Sequence, residues 1–241
     1  MKRTPILIMC IGGQGASVLS RSFHACGMSI GNENTFWQPN FLFPHGEHSY
    51  VTSIMAQIYT QPKEIWQPRL REVLRSYKTE AEKEDWRFYG IKTSSGICNP
   101  KWDAGEVGTL LKEEWPDAQY FGVIRKVNLG NPNAHDAWNS VWAGRKGMVE
   151  RGGIFVPFPE AWQDGSIKEL IETLGLTWTD EVYSIFEEPA EEGKAPLFSP
   201  EEFDNYFNQH PSEKEQREYL ISQSKKNFER LKLHPKRKRQ V

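Results

Sequence analysis

Cysteine is scarce in this chain, and no apolar run approaches the length of a bilayer-spanning helix. The 241 residues hold three cysteines, Cys10, Cys26 and Cys98, odd in number and widely spaced. That spacing excludes a disulfide framework and a cysteine-based metal cluster, and it points to a reducing, cytoplasmic setting. The want of an apolar stretch of about 20 residues excludes a membrane span. The opening Met1-Lys2-Arg3-Thr4-Pro5 is basic, but the apolar segment behind it stops at Cys10. It lacks the h-region and cleavage site of a signal peptide and reads as a first strand. Neither sign of charge prevails: 30 Lys and Arg against 32 Asp and Glu leave a net charge of −2, which argues against bulk nucleic-acid binding. There is no internal repeat and no signal of oligomeric state.

What is present is enough apolar material for one sizeable α/β core, 38% of the chain, and nine tryptophans to pack loops or line a pocket. Helical spacing of Val18, Leu19, Ser22, Phe23 and Cys26 predicts a helix over 18–27, with Gly27 as its stop. Residues 31–50 read as a long irregular loop. Helices are expected at 51–59, 65–81, 106–115, 135–146 and 166–174, the last stopped by Gly175. Short apolar runs predict strands at 87–92, 119–125 and 153–158, with loops at 93–96 and 128–133. Strands alternating with helices imply βαβ crossovers and a mainly parallel sheet. The pattern weakens near Glu187. We therefore divide the chain into an α/β domain over 1–186 and an extension over 187–241. The extension has an acidic linker at 187–193, a helix starting near Ser199, a charged helix at 213–233 and a basic tail, packed on or frayed from the same domain.

The most informative segment runs from Pro5 to Ser17. An apolar strand leads into Gly12, Gly13 and Gly15, then Ser17 and a helical pattern. Glycines let backbone N–H groups approach a phosphate, and the following helix points its positive dipole end at the same spot. The alternative is a tight βα turn, with Ser17 as an ordinary N-cap. No Lys precedes Ser17, so the loop departs from GxxxxGK[ST] and from an ordinary ATPase or GTPase. Lys92 and Arg125 each end a predicted strand, the side of a parallel sheet where ligands bind. A guanidinium there can grip a phosphate bidentately. The alternatives are a solvated lysine and a structural salt bridge.

Five segments, in order, resemble the sulfotransferases that use 3′-phosphoadenosine 5′-phosphosulfate (PAPS), the Golgi-type and bacterial branches above all. Residues 12–31, GGQGASVLSRSFHACGMSIG, are similar to the family's 5′-phosphosulfate loop and first helix, G-x-x-R-S-G-T-S-x-L-x-R-x-L-x-x-L-G-x-x-x-G. Residues 89–92, YGIK, resemble the strand ending G-W-K-D-P-R. Residues 116–125, PDAQYFGVIR, are similar to P-D-A-K-F-I-x-x-x-R, whose Arg grips the 3′-phosphate. Residues 137–147, AWNSVWAGRKG, resemble the helix carrying a partner Ser. The run from IFVPF at 154–158 to IETLGLTW at 171–178 resembles the last core strand and the helix ending L-G-L. Together they cover roughly half the chain.

The resemblance implies a nucleotide-kinase-like, three-layer α/β/α fold with PAPS as cofactor, 3′,5′-adenosine bisphosphate as its product, and no metal. It implies a small-molecule or carbohydrate acceptor. Gly12, Gly13, Gln14, Gly15, Ala16 and Ser17 would cradle the 5′ end. Arg125 and Ser140 would hold the 3′-phosphate, although Ser140 also fits a helix surface. Lys92 would replace the missing loop cation. Glu47 or His48, from the irregular loop, would serve as general base. The departures lie at the chemistry. Gly13 stands at the family's basic position, Gln14 at its Ser and Ala16 at its Thr, and Thr93-Ser94-Ser95 replaces D-P-R. His24 reads as a packed or surface residue. Sulfuryl transfer is the expected activity; a degenerate nucleotide-binding protein and a P-loop nucleoside or nucleotide kinase are the alternatives.

Overall fold

The structure is a computed structural model that describes residues 3–9, 15–31, 51, 54, 57, 61–93, 110–125, 142, 144–187 and 200–233. Four strands form one all-parallel sheet: β1 Thr4–Met9, β2 Phe88–Thr93, β3 Gln119–Arg125 and β4 Ile154–Phe158. Their order is β2-β1-β3-β4. Parallel neighbours need a crossover between them, and helices supply it. These are α1 Ala16–Ala25, α2 Lys63–Lys83, α3 Glu160–Gln163, α4 Ser166–Leu174, α5 Glu181–Glu187, α6 Pro200–Gln209 and α7 Pro211–Leu233, with further helical turns at 110–114 and 144–150.

Side chains alternate across the strands and so build two cores. On one face Ile6, Ile8, Phe121, Val123, Ile154 and Val156 pack against Leu19 and Phe23 of α1 and Ile167, Leu170 and Ile171 of α4. On the other, Leu7, Tyr89, Ile91, Ile124 and Phe155 meet Leu70, Leu74 and Tyr77 of α2, Met148, Val149, and Leu220 of α7. The result is the three-layer α/β/α arrangement that the sequence led us to expect.

The C-terminal helix belongs to this core. β4 is an edge strand, and the N–H of Phe155 donates to Ser224 Oγ on α7 at 2.8 Å. Asn227 Nδ2 donates to the carbonyls of Val149 at 2.7 Å and Gly153 at 2.8 Å. α7 thereby covers an edge that would otherwise invite pairing with another chain. Asn227→Ala leaves two buried carbonyls without that donor. The expected cost is about 1–3 kcal/mol, read as a lowered urea midpoint at an unchanged slope.

Several boundaries differ from the sequence reading. α1 starts at Ala16, two residues before the expected 18. β2 runs one residue past 92, because Thr93 pairs with Met9. The helix expected to stop at 146 continues through 150. It ends where Gly152 takes φ 95° and the N–H of Gly153 reaches back to Met148 O at 2.9 Å, a closure that favours glycine in the left-handed region. α7 opens at Pro211, whose missing N–H costs nothing in a first turn. The expected loops at 32–50, 94–96 and 128–133, the linker at 188–193 and the tail at 234–241 lie outside the described residues. No described helix is long and apolar enough to cross a membrane.

Candidate functional site

The strand order decides where a ligand can sit. From β1 the chain winds outward to β2, then returns past β1 to β3 and β4. The switch point therefore falls between the carboxyl ends of β1 and β3, where sheets of this kind are expected to open a ligand crevice. α1 starts at that crevice.

Gly15 is the N-cap of α1, with φ 92°, and among the described residues no side-chain cap bond closes this terminus. Its backbone conformation favours glycine, and so does its packing: a Cβ at Gly15 would lie 2.8 Å from Phe158 Cγ. The first bond to the cap runs from the N–H of Leu19 to Gly15 O at 3.1 Å. The amides of Ala16, Ser17 and Val18 precede that ladder and point out of the helix terminus. The first turn holds no acidic residue. Two sequence expectations change here. Ser17 is the second helical residue and not the N-cap, because the left-handed turn at Gly15 takes that position. The methyl of Ala16 is 3% exposed and packs into the core, so Ala16 can offer a ligand only its amide.

Lys92 completes the arrangement. It pairs with Ile8 of β1 and is 3% exposed. Its ammonium donates to Ser17 Oγ at 3.0 Å. A helix N-terminus carries about half a positive charge and favours anions. Here the Lys92 ammonium and the helix terminus meet at one hydroxyl, so an anion at that point would face both.

On the far side of β1, Arg125 is the last residue of β3. Since Ile8 pairs with Phe121, Arg125 stands three residues beyond the level of Met9, about 10 Å at the rise of a strand. It pairs with Phe158 of β4, the residue whose ring covers Gly15. Phe158 therefore joins the end of β3 to the start of α1. It is braced by Trp162 at 5.3 Å and Phe186 at 5.9 Å between ring centroids. The structure thus brings Gly15, Ala16, Ser17, Lys92 and the backbone of Arg125 to one edge of the sheet. Gly12, Gly13, Gln14, Glu47, His48 and Ser140 lie outside the described residues.

No protein-family model matches the chain, and no curated protein matches it. The likeness to PAPS-dependent sulfotransferases rests on the motifs quoted above.

His24 is exposed at the other end of α1, with Nδ1 2.8 Å from Met28 O. Cys26 is a buried free thiol whose pKa is pushed up chiefly by burial. Among the described residues no group of three or more His, Cys, Asp or Glu can hold a metal ion. Sequence reasoning missed Phe158 as a packing partner of the loop, and it missed the polar contacts of α7. Arg217 Nη2 approaches Glu160 Oε1 at 3.5 Å, and buried Glu213 accepts the Tyr206 hydroxyl at 2.6 Å. An apolar run ending in Phe158-Pro159-Glu160 was the available signal for the first. The dense charge of 211–233 masked the second.

Proposed function

We propose that this protein binds PAPS and transfers its sulfuryl group to a hydroxyl or amine of a carbohydrate or small metabolite. The observation that supports this reading best is the buried Lys92 ammonium held on Ser17 at the glycine-capped start of α1. In this reading Lys92 would take over the role of the loop cation that the family carries at the position of Gly13. PAPS supplies an activated sulfuryl group on a phosphate leaving group. The protein's task is to orient it and stabilise charge on the leaving oxygen. The amides at the start of α1 and the Ser17 hydroxyl would hold the 5′ phosphosulfate. Lys92 would offset the leaving charge, Arg125 with Ser140 would hold the 3′-phosphate, and Glu47 or His48 would take the acceptor's proton.

A nucleotide-binding protein without turnover is the second reading. It is favoured by Ala16, whose buried methyl stands where the family has a hydroxyl. Titration with 3′,5′-adenosine bisphosphate and with Mg-ATP, followed by a sulfuryl-transfer assay on an acceptor panel, separates these readings and the kinase. Micromolar binding of the bisphosphate alone supports the scaffold, and transfer then decides between the first two. Preference for Mg-ATP overturns both. Arg125→Ala should weaken bisphosphate binding by about 2–5 kcal/mol. Wild-type affinity in that variant removes Arg125 from the site.

A further inference from the structure

Helix α1 carries three serines, and the fold uses them differently. Ser20 and Ser22 are 0% exposed. The Ser22 hydroxyl donates to Val18 O at 2.7 Å and accepts from Trp162 Nε1 at 3.3 Å, so packing consumes it. Ser17 is half-buried, in the first turn of the helix. Its Oγ meets Lys92 Nζ at 3.0 Å. A lysine usually lays its stem along apolar surface and puts its head in water. Lys92 is 3% exposed, and its nitrogen reaches that hydroxyl instead. The sheet fixes the lysine's backbone, because Lys92 of β2 pairs with Ile8 of β1. A hydroxyl partly open to solvent and within hydrogen-bond reach of a positioned basic side chain is the arrangement of an activated nucleophile. Lysine suits the part where arginine does not, since arginine keeps its proton in proteins. In the ammonium form Nζ donates to Oγ. In the amine form the same contact reverses, and the hydroxyl donates to Nζ.

We propose that Ser17 and Lys92 form a nucleophile–base pair that takes an acyl group from a carboxylic ester and passes it to water, an activity separate from sulfuryl transfer. With Lys92 as the amine, the Ser17 hydroxyl gives its proton to Nζ while Oγ bonds to the acyl carbon. The bond from that carbon to the ester's alcohol oxygen breaks, and the alcohol leaves with the proton from Nζ. Water then attacks the acyl-serine, which frees the carboxylic acid and restores the hydroxyl. The test treats the full chain with an alkyl fluorophosphonate, which phosphonylates activated serines with loss of fluoride, and with p-nitrophenyl acetate. Peptide mass spectrometry should place the phosphonyl group on Ser17, and p-nitrophenolate should be released. Ser17→Ala should lose both. Lys92→Met should slow both by about 100-fold or more, and Lys92→Arg, which keeps the charge but cannot accept the proton, should slow them as much. No Ser17 adduct in the wild type, or one that forms no faster than in the urea-unfolded chain, overturns the proposal whether or not the variants fold. So does p-nitrophenolate release no higher than in Ser17→Ala, or an unchanged labelling rate in a cooperatively melting Lys92→Met or Lys92→Arg. The proposal does not rest on the PAPS reading. A wild type that binds the bisphosphate but is not labelled at Ser17 keeps that reading and loses this one.

Discussion

Replacing Lys92 with Met is expected to weaken binding of 3′,5′-adenosine bisphosphate about 100-fold, roughly 2.7 kcal/mol, and to leave the fold at least as stable. The two halves of this expectation come from the same facts. Lys92 is 3% exposed, and its ammonium sits on Ser17 Oγ at 3.0 Å. Burying a charge is costly, and an apolar isostere of similar length removes that cost. The positive end of α1 stands at the same hydroxyl and adds to that cost. A phosphate bound at the amides of Ala16, Ser17 and Val18 would lose a charged neighbour held at Ser17. Titration calorimetry and urea denaturation on the same variant measure both quantities. If Lys92 merely ties β2 to α1, the result is reversed: stability falls and affinity holds. Ser17→Ala is the control. It removes the hydroxyl but keeps the charge, and its effect on affinity should be about tenfold smaller than that of Lys92→Met.

The elements read correctly from sequence are those with sharp punctuation. β3 matches its expected bounds because the apolar run Tyr120 to Ile124 stops at a charge. α4 matches because glycines with positive φ, Gly165 at 78° and Gly175 at 85°, close both ends. α1 was misjudged at its start for a related reason. Ser17 is a good N-cap residue, but Gly15 is the one that adopts the left-handed turn, and conformation outranked side-chain chemistry. The short helices α3 and α5 carry too few residues for a periodic signal.

The site was legible residue by residue and not as an assembly. Lys92 and Arg125 could be found because each follows an apolar run. That Lys92 meets Ser17, 75 positions away, depends on β2 pairing with β1, which local pattern does not encode. α7 shows the opposite failure. Its buried face is polar: Glu213, Ser224 and Asn227 are nearly as sequestered as Leu220. Ser224 and Asn227 satisfy backbone groups of β4 and its neighbours, and Glu213 accepts the Tyr206 hydroxyl, where a hydrophobic stripe would be expected. A periodicity argument sees only a charged helix there, and so it overlooks Arg217.

Gly15→Ala should be the most disruptive single methyl that can be added near the crevice, costing about 2–5 kcal/mol of stability. Two separable effects contribute. A residue with a Cβ resists φ 92° by about 1–2 kcal/mol. The new methyl also meets the Phe158 ring, 2.8 Å from Cγ and 2.9 Å from Cδ2, and overpacking of this kind costs about 1–3 kcal/mol. The ring cannot swing away freely, since Trp162 and Phe186 flank it at 5.3 Å and 5.9 Å. A double-mutant cycle with Phe158→Leu divides the two. In the Leu background the cost of Gly15→Ala should shrink to the backbone part, about 1–2 kcal/mol. Urea midpoints of the four proteins give the coupling directly. An equal cost in both backgrounds would mean that Phe158 yields to the methyl without strain, and that the glycine is required for its turn alone. Nucleotide affinity adds a second readout. If Phe158 transmits the position of β4 to the start of α1, Gly15→Ala weakens bisphosphate binding in the Phe background, and Phe158→Leu recovers part of that loss.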